Sequence, residues 1–205
     1  MKEHPILFSA PMVRAILAGK KTQTRRMVKF GPDRQVKRSE VDRLGFYELD
    51  GTTYGLLSPY GMPGDRLWVR ETWAEICYNE CGCDGLECLE HGYEYRADKP
   101  GAKYAGGLDN GFDSCDVPPG CKWRPSIFMP RAASRILLEV TDVRIERLNA
   151  ISEHDAEQEG FVSDWAESGF SAVNSFAELW DDINGEGSFD SDPFVWVITF
   201  KKLDT

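Results

Sequence analysis

The chain is organised around one short basic segment, which reads Leu17-Ala18-Gly19-Lys20-Lys21-Thr22-Gln23-Thr24-Arg25-Arg26. A glycine follows an apolar run, and two lysines, two threonines and two arginines come directly after it. Nowhere else in this acidic chain do positive charges and hydroxyl groups lie so close together in sequence. We therefore expect the chemistry of the protein here, and we interpret the surrounding sequence as the scaffold that holds this segment.

The residues before the segment predict a helix that leads into it. Ser9 is a residue type that caps helices, and Pro11 fits a first helical turn. Apolar residues at helical spacing then share one face: Met12, Val13, Ile16 and Leu17. Gly19 supplies the left-handed residue at which helices commonly end. Residues 20–26 are thus expected to leave the end of a packed helix.

Two later segments predict long strands. Ile136, Leu138 and Val140 share one parity, whereas Val143 and Ile145 share the other. Because side chains alternate along a strand, this change of phase predicts a bulge or bend near Thr141-Asp142. The segment 194–200 is apolar at nearly every position, which is typical of a strand that is covered on both faces. We expect that last strand at the centre of its sheet.

Two further helix starts are indicated. Ser152 with Asp155 predicts a short helix that runs to Glu159, and Ser175 with Glu178 predicts a second one. A carboxylate in the last turn of a helix is disfavoured by the helix dipole by about 0.3–1 kcal/mol. The place of Glu159 therefore suggests that it is needed there, for instance to hold a lysine or an arginine. A solvated glutamate is the alternative interpretation.

The pattern of elements indicates the fold class. Strands and helices do not alternate as they do in a βαβ chain. Residues 74–122 contain all six cysteines and show little periodicity, so we interpret them as an irregular, Cys-rich insertion. The sequence predicts an α+β fold, a mixed β-barrel with about three helices, in a single domain over residues 1–205.

Charge and hydropathy limit the partners. The net charge is −10 at pH 7, yet residues 14–43 carry ten Lys/Arg against three Asp/Glu. Phosphate binding needs clustered basic residues, so we expect at most one basic face that attracts an anionic ligand. A solvated loop is the simpler interpretation of residues 33–43. The sequence has neither an apolar run of membrane-spanning length nor a signal peptide at its start, which predicts a cytoplasmic protein without a membrane partner.

Lys21 and Thr24 lie three residues apart and form a candidate catalytic pair. A threonine hydroxyl becomes a useful nucleophile when a base takes its proton. A lysine serves as that base when it is neutral, and neighbouring cations and burial both lower its pKa toward that state. A basic turn whose threonines bond to the backbone fits the same spacing. Gly-rich phosphate loops and metalloprotease helices are absent from the sequence, so those enzyme classes are set aside.

The cysteines allow a metal hypothesis. Four thiolates would form a closed structural zinc site in the insertion. The sequence has no Cys-x-x-Cys pair, however, and unliganded thiols are the alternative interpretation. The candidate ligands are Cys77, Cys81, Cys83, Cys88, His91, Cys115 and Cys121.

Three stretches resemble the ASCH domain family, namely Ile16–Arg26, Gly64–Val69 and Val195–Phe200. The resemblance covers most of the chain outside residues 74–122, and it implies a PUA-like β-barrel with a link to RNA metabolism. Three further segments are similar to the phage- and prophage-encoded branch of the family: Pro5–Ser9, Arg70–Trp73 and Met129–Arg135.

The resemblance also implies a reaction. A small bacterial member of the family is an N4-acetylcytidine amidohydrolase with a catalytic lysine, threonine and glutamate. By motif these fall on Lys21, Thr24 and Glu159, and Arg26 matches the arginine that closes the signature. The implied function is a hydrolase acting on an acylated nucleoside, without a catalytic cofactor.

Alternatives stay open within that resemblance. Other family members are ribonucleases or bind RNA without turnover, and a protein that binds partners in phage assembly is a further interpretation. The ligand is then RNA or a protein rather than a small nucleoside. The candidate substrate contacts are Arg25, Arg26, Arg70, Glu71 and Trp73, of which Trp73 is the candidate for base stacking.

Overall fold

The computed structural model describes residues 1–29, 46–49, 52–77, 91–102, 105, 122–162 and 171–204. Within these ranges the chain forms a mixed α+β structure with three helices, as expected. The helices are α1 (Ala10–Leu17), α2 (Glu153–Gln158) and α3 (Ala172–Asn184). The strands are β1 (Glu3–Leu7), β2 (Gln23–Met27), β3 (Phe46–Leu49), β4 (Thr52–Gly55), β5 (Arg66–Arg70), β6 (Trp73–Cys77), β7 (His91–Tyr95), β8 (Leu137–Arg147) and β9 (Phe194–Leu203).

The largest sheet is mixed and has the strand order β1-β5-β8-β9-β2. β9 pairs antiparallel with both β8 and β2. β1 runs parallel to β5, since the Arg66 amide donates to the Lys2 carbonyl and the Phe8 amide donates to the Arg70 carbonyl. β1 and β2 form its two edges, so in the described part of the chain the sheet is open and does not close into the expected barrel. β3 with β4, and β6 with β7, form separate two-stranded sheets.

The bulge predicted in β8 and the burial predicted for β9 are both observed. The register between β8 and β9 shifts between Val140 and Asp142, which confirms the predicted bulge. β9 lies between β8 and β2, and its residues 194–198 are all buried. β9 is therefore an internal strand with both faces covered, as its sequence predicts, but the centre of the sheet is β8 rather than β9.

The chain divides into two compact units. The first consists of residues Met1–His4, Ala15–Leu67 and Leu137–Asp204, and the second of Pro5–Arg14 and Trp68–Ile136. In the first unit α2 and α3 share a hydrophobic cluster with β9, in which Phe176, Trp180 and Val197 are buried. In the second unit Trp73, Met129 and Ala133 form a buried cluster. The single domain over residues 1–205 stays a prediction.

The start of the third helix differs from its prediction. α3 is capped by Ser171, whose hydroxyl accepts a hydrogen bond from the Asn174 amide, and Ser175 lies inside the helix. The Glu153 carboxylate reinforces this start, because it accepts hydrogen bonds from the Ser171 hydroxyl and the Ala172 amide. The Ser-x-x-Glu pattern at Ser175 was thus misleading, because a contact distant in sequence fixes the helix start.

The predicted insertion is more regular than expected where it is described. β6 pairs antiparallel with β7, and the pairs Trp73–Tyr95 and Glu75–Tyr93 face each other across the strands. The Trp73 ring also packs edge-on against the Tyr93 ring with 5.7 Å between their centres, and cross-strand aromatic contacts of this kind stabilise a strand pair that is too short to show a clear sequence period. None of the helices formed by the described residues is long and apolar enough to cross a membrane.

Candidate active site

The end of α1 fixes the position of Lys21. Gly19 adopts a left-handed conformation with φ of 69°, and its amide bonds to the Ile16 carbonyl at 3.0 Å. The amides of Lys20 and Lys21 both donate to the Ala15 carbonyl, at 2.9 and 3.1 Å. These bonds satisfy carbonyls that a helix end leaves open. Lys21 is thereby fixed at its backbone before β2 begins.

The end of α2 brings Glu159 to the same place. The capping box of Ser152 and Asp155 fixes the start of α2, as the sequence predicts. Glu159 is the C-cap residue, and its amide donates to the Asp155 carbonyl. The Thr22 amide donates to the Gln158 carbonyl at 2.8 Å, which joins the segment before β2 to the end of α2. Residues 138 positions apart in sequence therefore meet.

Lys21 and Glu159 form a buried ion pair. The Lys21 ammonium lies 2.6 Å from Glu159 Oε2 and donates a second hydrogen bond to the Glu159 carbonyl at 2.9 Å. The two side chains are 0% and 3% exposed. Burial lowers the pKa of Lys21, and this outweighs the opposing effect of the Glu159 carboxylate; Arg26 and Arg25 lower that pKa further. The pair thus holds a lysine that loses its proton more readily than an exposed one.

Arg25 holds the other oxygen of the same carboxylate. One of its guanidinium nitrogens lies 3.3 Å from Glu159 Oε1 and donates to the Gln23 side-chain oxygen at 2.6 Å. Its other terminal nitrogen lies 3.5 Å from Asp155 and 3.8 Å from Glu146. The Arg25 side chain is 0% exposed. These contacts favour a supporting role for Arg25 over the predicted direct contact with a substrate.

Thr24 and Arg26 share one face of the sheet. In the register of β2 with β9, Thr24 is opposite Ile198 and Arg26 is opposite Trp196. Because side chains alternate along a strand, both point away from the face that carries Arg25. Thr24 is 2% exposed, whereas Arg26 is partly exposed.

Arg26 lies within electrostatic range of two acidic groups. Burial lowers its pKa, while Tyr60 and Glu159 act in the opposite direction. A guanidinium stays charged under ordinary conditions whatever its surroundings. Arg26 is thus a permanent cation near the Lys21–Glu159 pair, on the face that carries Thr24.

Glu71, another predicted contact, is buried in the second unit. It is 1% exposed, and Arg135 binds both of its oxygens, at 3.0 and 3.2 Å. Arg135 also binds both oxygens of Asp98, at 2.6 and 2.9 Å. Burial raises the pKa of Glu71, against the lowering effect of Arg135. This arrangement accounts for Glu71 as a structural residue of its unit.

The neighbours of Glu71 are also engaged within the second unit. Arg70 donates to the Met129 carbonyl at 3.1 Å, and its guanidinium lies 4.7 Å from the centre of the Trp68 ring. Trp73 is 3% exposed, and the Arg124 guanidinium lies over its ring at 5.0 Å. Trp73 therefore resembles a core residue more than a stacking platform. Substrate contacts by Arg70, Glu71 and Trp73 stay predictions.

The zinc hypothesis falls mostly outside the described residues. Of its candidate ligands, only the backbones of Cys77 and His91 are described, and these two residues face each other at the ends of β6 and β7. In the described ranges no group of three or more His, Cys, Asp or Glu side chains is placed to hold a metal ion. Residues 30–45, which include much of the predicted basic stretch, likewise lie outside the described ranges. Structural zinc thus stays a prediction.

The network around Arg25 was not predicted from the sequence. Gln23, Glu146 and Asp155 all contact Arg25, but they had no part in the expected site. The sequence around Asp155 indicated only a helix cap, and Glu146 lies in a strand whose pattern is set by its apolar neighbours.

Comparisons of the chain with protein families, with curated proteins and with solved structures found no match.

Proposed function

We propose that this protein has the ASCH fold and hydrolyses the amide of an acylated nucleoside such as N4-acetylcytidine. The buried pair of Lys21 and Glu159, whose charged atoms lie 2.6 Å apart, carries the proposal, and Lys21 precedes Thr24 by three residues. The family resemblance selects these same three residues. The mixed five-stranded sheet with three helices is compatible with a PUA-like fold, although its described part is open.

The reaction begins with proton transfer to a neutral Lys21. The amine takes the proton of the Thr24 hydroxyl as the threonine oxygen bonds to the acetyl carbon. The bond between that carbon and N4 then breaks, and Lys21 returns the proton to N4. Cytidine leaves, and the acetyl group stays on Thr24 as an ester.

Water completes the cycle. A water molecule gives a proton to Lys21 and bonds to the ester carbon, and the bond to the threonine oxygen breaks. Thr24 regains the proton from Lys21, and acetate leaves with the oxygen of the water. One water is consumed for each amide cleaved.

The other charged groups support this step. Glu159 accepts the Lys21 hydrogen bond and fixes the direction of the amine. Arg26 provides a fixed positive charge for the oxyanion that forms on the acetyl oxygen, an interaction that contributes several kcal/mol in enzymes of this kind. Arg25 holds Glu159 in place through its second oxygen.

Chromatography of N4-acetylcytidine incubated with the purified protein tests the proposal. We expect cytidine and acetate in equal amounts. Thr24→Val, which keeps the shape but removes the hydroxyl, and Lys21→Met should abolish release, whereas Thr24→Ser should retain part of it. Lys20→Met is the matched control, because Lys20 is an exposed neighbour. Full activity of Lys21→Met and Thr24→Val would rule out the mechanism.

The same preparation separates the rival functions. A ribonuclease would cleave single-stranded RNA, and activity with and without a chelator would show whether it uses a metal. A binding module would form no product in either assay, and its affinity for RNA would fall steeply with salt. A protein that only binds other proteins would give none of these results.

A further inference from the structure

Two cations of the first unit divide one buried carboxylate between them. A terminal guanidinium nitrogen of Arg25 lies 3.3 Å from Glu159 Oε1, and the Lys21 ammonium lies 2.6 Å from Glu159 Oε2. The side chains of Arg25 and Lys21 are both 0% exposed, and that of Glu159 is 3% exposed. Each oxygen of the Glu159 carboxylate therefore has its own buried positive partner.

The two cations differ in whether they can lose their charge. An arginine stays protonated in proteins, whereas a buried lysine beside other cations can become a neutral amine. When Lys21 gives up its proton, Glu159 loses the positive charge at one of its oxygens. A buried carboxylate without a cation is strongly unfavourable. Arg25 prevents that state, because it pairs with Glu159 whatever the charge of Lys21.

Gln23 and Arg144 keep Arg25 directed at the shared carboxylate. The Gln23 side-chain oxygen accepts a hydrogen bond of 2.6 Å from the Arg25 nitrogen that faces this carboxylate. The other terminal nitrogen of Arg25 lies 3.5 Å from Asp155 and 3.8 Å from Glu146. Arg144 contacts these same two carboxylates, with Glu146 at 2.5 Å and Asp155 at 3.9 Å. They therefore do not depend on Arg25 alone, which leaves its first nitrogen to the shared carboxylate.

We propose that Arg25 is a positioning residue that keeps Glu159 paired while Lys21 is uncharged, so that Lys21 can act as the base. The inference rests on the proposed function, because it is the base-catalysed step that uses the neutral amine. Burial lowers the pKa of Lys21 most, Glu159 raises it, and Arg26 and Arg25 lower it. Both guanidinium groups therefore favour the neutral amine, but Arg25 is the one that also holds the carboxylate.

Nuclear magnetic resonance of protein with ¹³C-labelled lysine follows the protonation of Lys21 without any substrate. The Lys21 signal is identified by its absence from the spectrum of Lys21→Met. In Arg25→Met the titration midpoint of Lys21 should rise, because Glu159 then depends on Lys21 for its pairing. Arg25→Lys keeps the charge and should raise the midpoint less. Lys20→Met removes a charge at an exposed position and is the matched control. An unchanged midpoint in Arg25→Met would overturn the proposal.

Gln23→Glu tests the same point if Arg25→Met does not fold. The substitution keeps the size of the side chain and places a carboxylate oxygen where Gln23 now accepts the 2.6 Å hydrogen bond from Arg25. The new charge competes with Glu159 for that guanidinium nitrogen. Lys21 should therefore again lose its proton at a higher pH, and a midpoint equal to that of the unchanged protein would contradict the proposal.

The pH dependence of kcat/KM for N4-acetylcytidine separates this inference from the proposed function. A neighbouring charge moves a pKa by about 1–3, so Arg25→Met should lower kcat/KM at pH 7 by about ten- to a thousandfold and regain most of it at high pH. A loss that is equal at every pH would show that Arg25 has a structural role alone, while the function stands. If the midpoint of Lys21 rises in Arg25→Met but the unchanged protein cleaves no amide, the role of Arg25 stands and the hydrolase proposal fails.

Discussion

Gly160 lies against Ala15, so close that a Cβ atom on Gly160 would be 3.0 Å from the Ala15 Cβ. The same atom would lie 3.4 Å from the Cβ of Lys21. Gly160 also has a φ of 99°, a conformation that other residues rarely adopt. A glycine at this position thus lets the end of α2 approach the end of α1. This approach is what brings Glu159 to Lys21.

Gly160→Ala should therefore destabilise the fold and disturb the site. The backbone conformation alone costs an alanine about 1–3 kcal/mol, and the contact with Ala15 adds to that cost. Urea unfolding of both variants measures the loss of stability. Gly185→Ala is the matched control, because Gly185 also has a positive φ, 104°, but a Cβ atom there would have open space around it. An equal loss in both variants would show that the approach to Ala15 contributes nothing.

Lys21→Met should remove a pH dependence of stability. Burial lowers the folded-state pKa of Lys21 below its ordinary value of 10.5. Between those two values the unfolded chain binds a proton that the folded protein does not, so folding stability rises with pH. The free energy of unfolding of the unchanged protein, relative to Lys21→Met, should thus rise as pH increases toward 10.5.

Lys20→Met is the control for that measurement, because it removes a charge at an exposed position. The difference in free energy of unfolding between the unchanged protein and Lys20→Met should not show the same rise with pH. If the free energy of unfolding of the unchanged protein, relative to Lys21→Met, falls as pH rises, the bond to Glu159 outweighs burial. Lys21 would then be a poor base, and the proposed mechanism would lose its first step.

Arg25→Met should be strongly destabilising. It leaves three carboxylates, those of Glu146, Asp155 and Glu159, without the cation that lies among them. Removing one partner of a buried ion pair costs about 3–5 kcal/mol when the other charge is left uncompensated, and the loss here should be smaller because Lys21 still pairs with Glu159 and Arg144 still pairs with Glu146. Lys201→Met breaks an exposed pair with Glu139 and should cost at most about 1 kcal/mol. Chemical denaturation of both variants measures the two losses of stability. Equal losses would show that the contacts of Arg25 with these carboxylates do not stabilise the fold.

Part of this structure follows from local sequence. The cap at Ser152, the stop at Gly19 and the phase change near Asp142 are each determined by residues a few positions apart, and each was predicted correctly. The pairing of Glu159 was suggested by its unfavourable place at a helix end. The electrostatic cost of a carboxylate at a helix end depends on sequence position alone, so the need for a partner could be predicted before the fold was known.

Other features depend on contacts that spacing does not reveal. The role of Arg25 depends on carboxylates 121 to 134 residues away in sequence. The start of α3 depends on Glu153, which lies 18 residues before Ser171. Whether the sheet closes into a barrel depends on whether its edge strands pair with each other. The sequences of β1 and β2 do not indicate whether they pair.

Glu71→Gln should make the folding stability of the protein less dependent on pH on the acidic side of neutrality. Burial raises the pKa of Glu71 above its ordinary 4.5, although Arg135 opposes this. Between 4.5 and the raised value the folded protein binds a proton that the unfolded chain does not, so stability falls as pH rises. Glutamine keeps the shape of the protonated side chain, so the unchanged protein should lose stability relative to Glu71→Gln across this window. Asp98→Asn should shrink the effect, because Asp98 also raises the pKa of Glu71. Thermal unfolding from pH 4 to 7 measures the difference, and a gain with pH would mean that Arg135 outweighs burial.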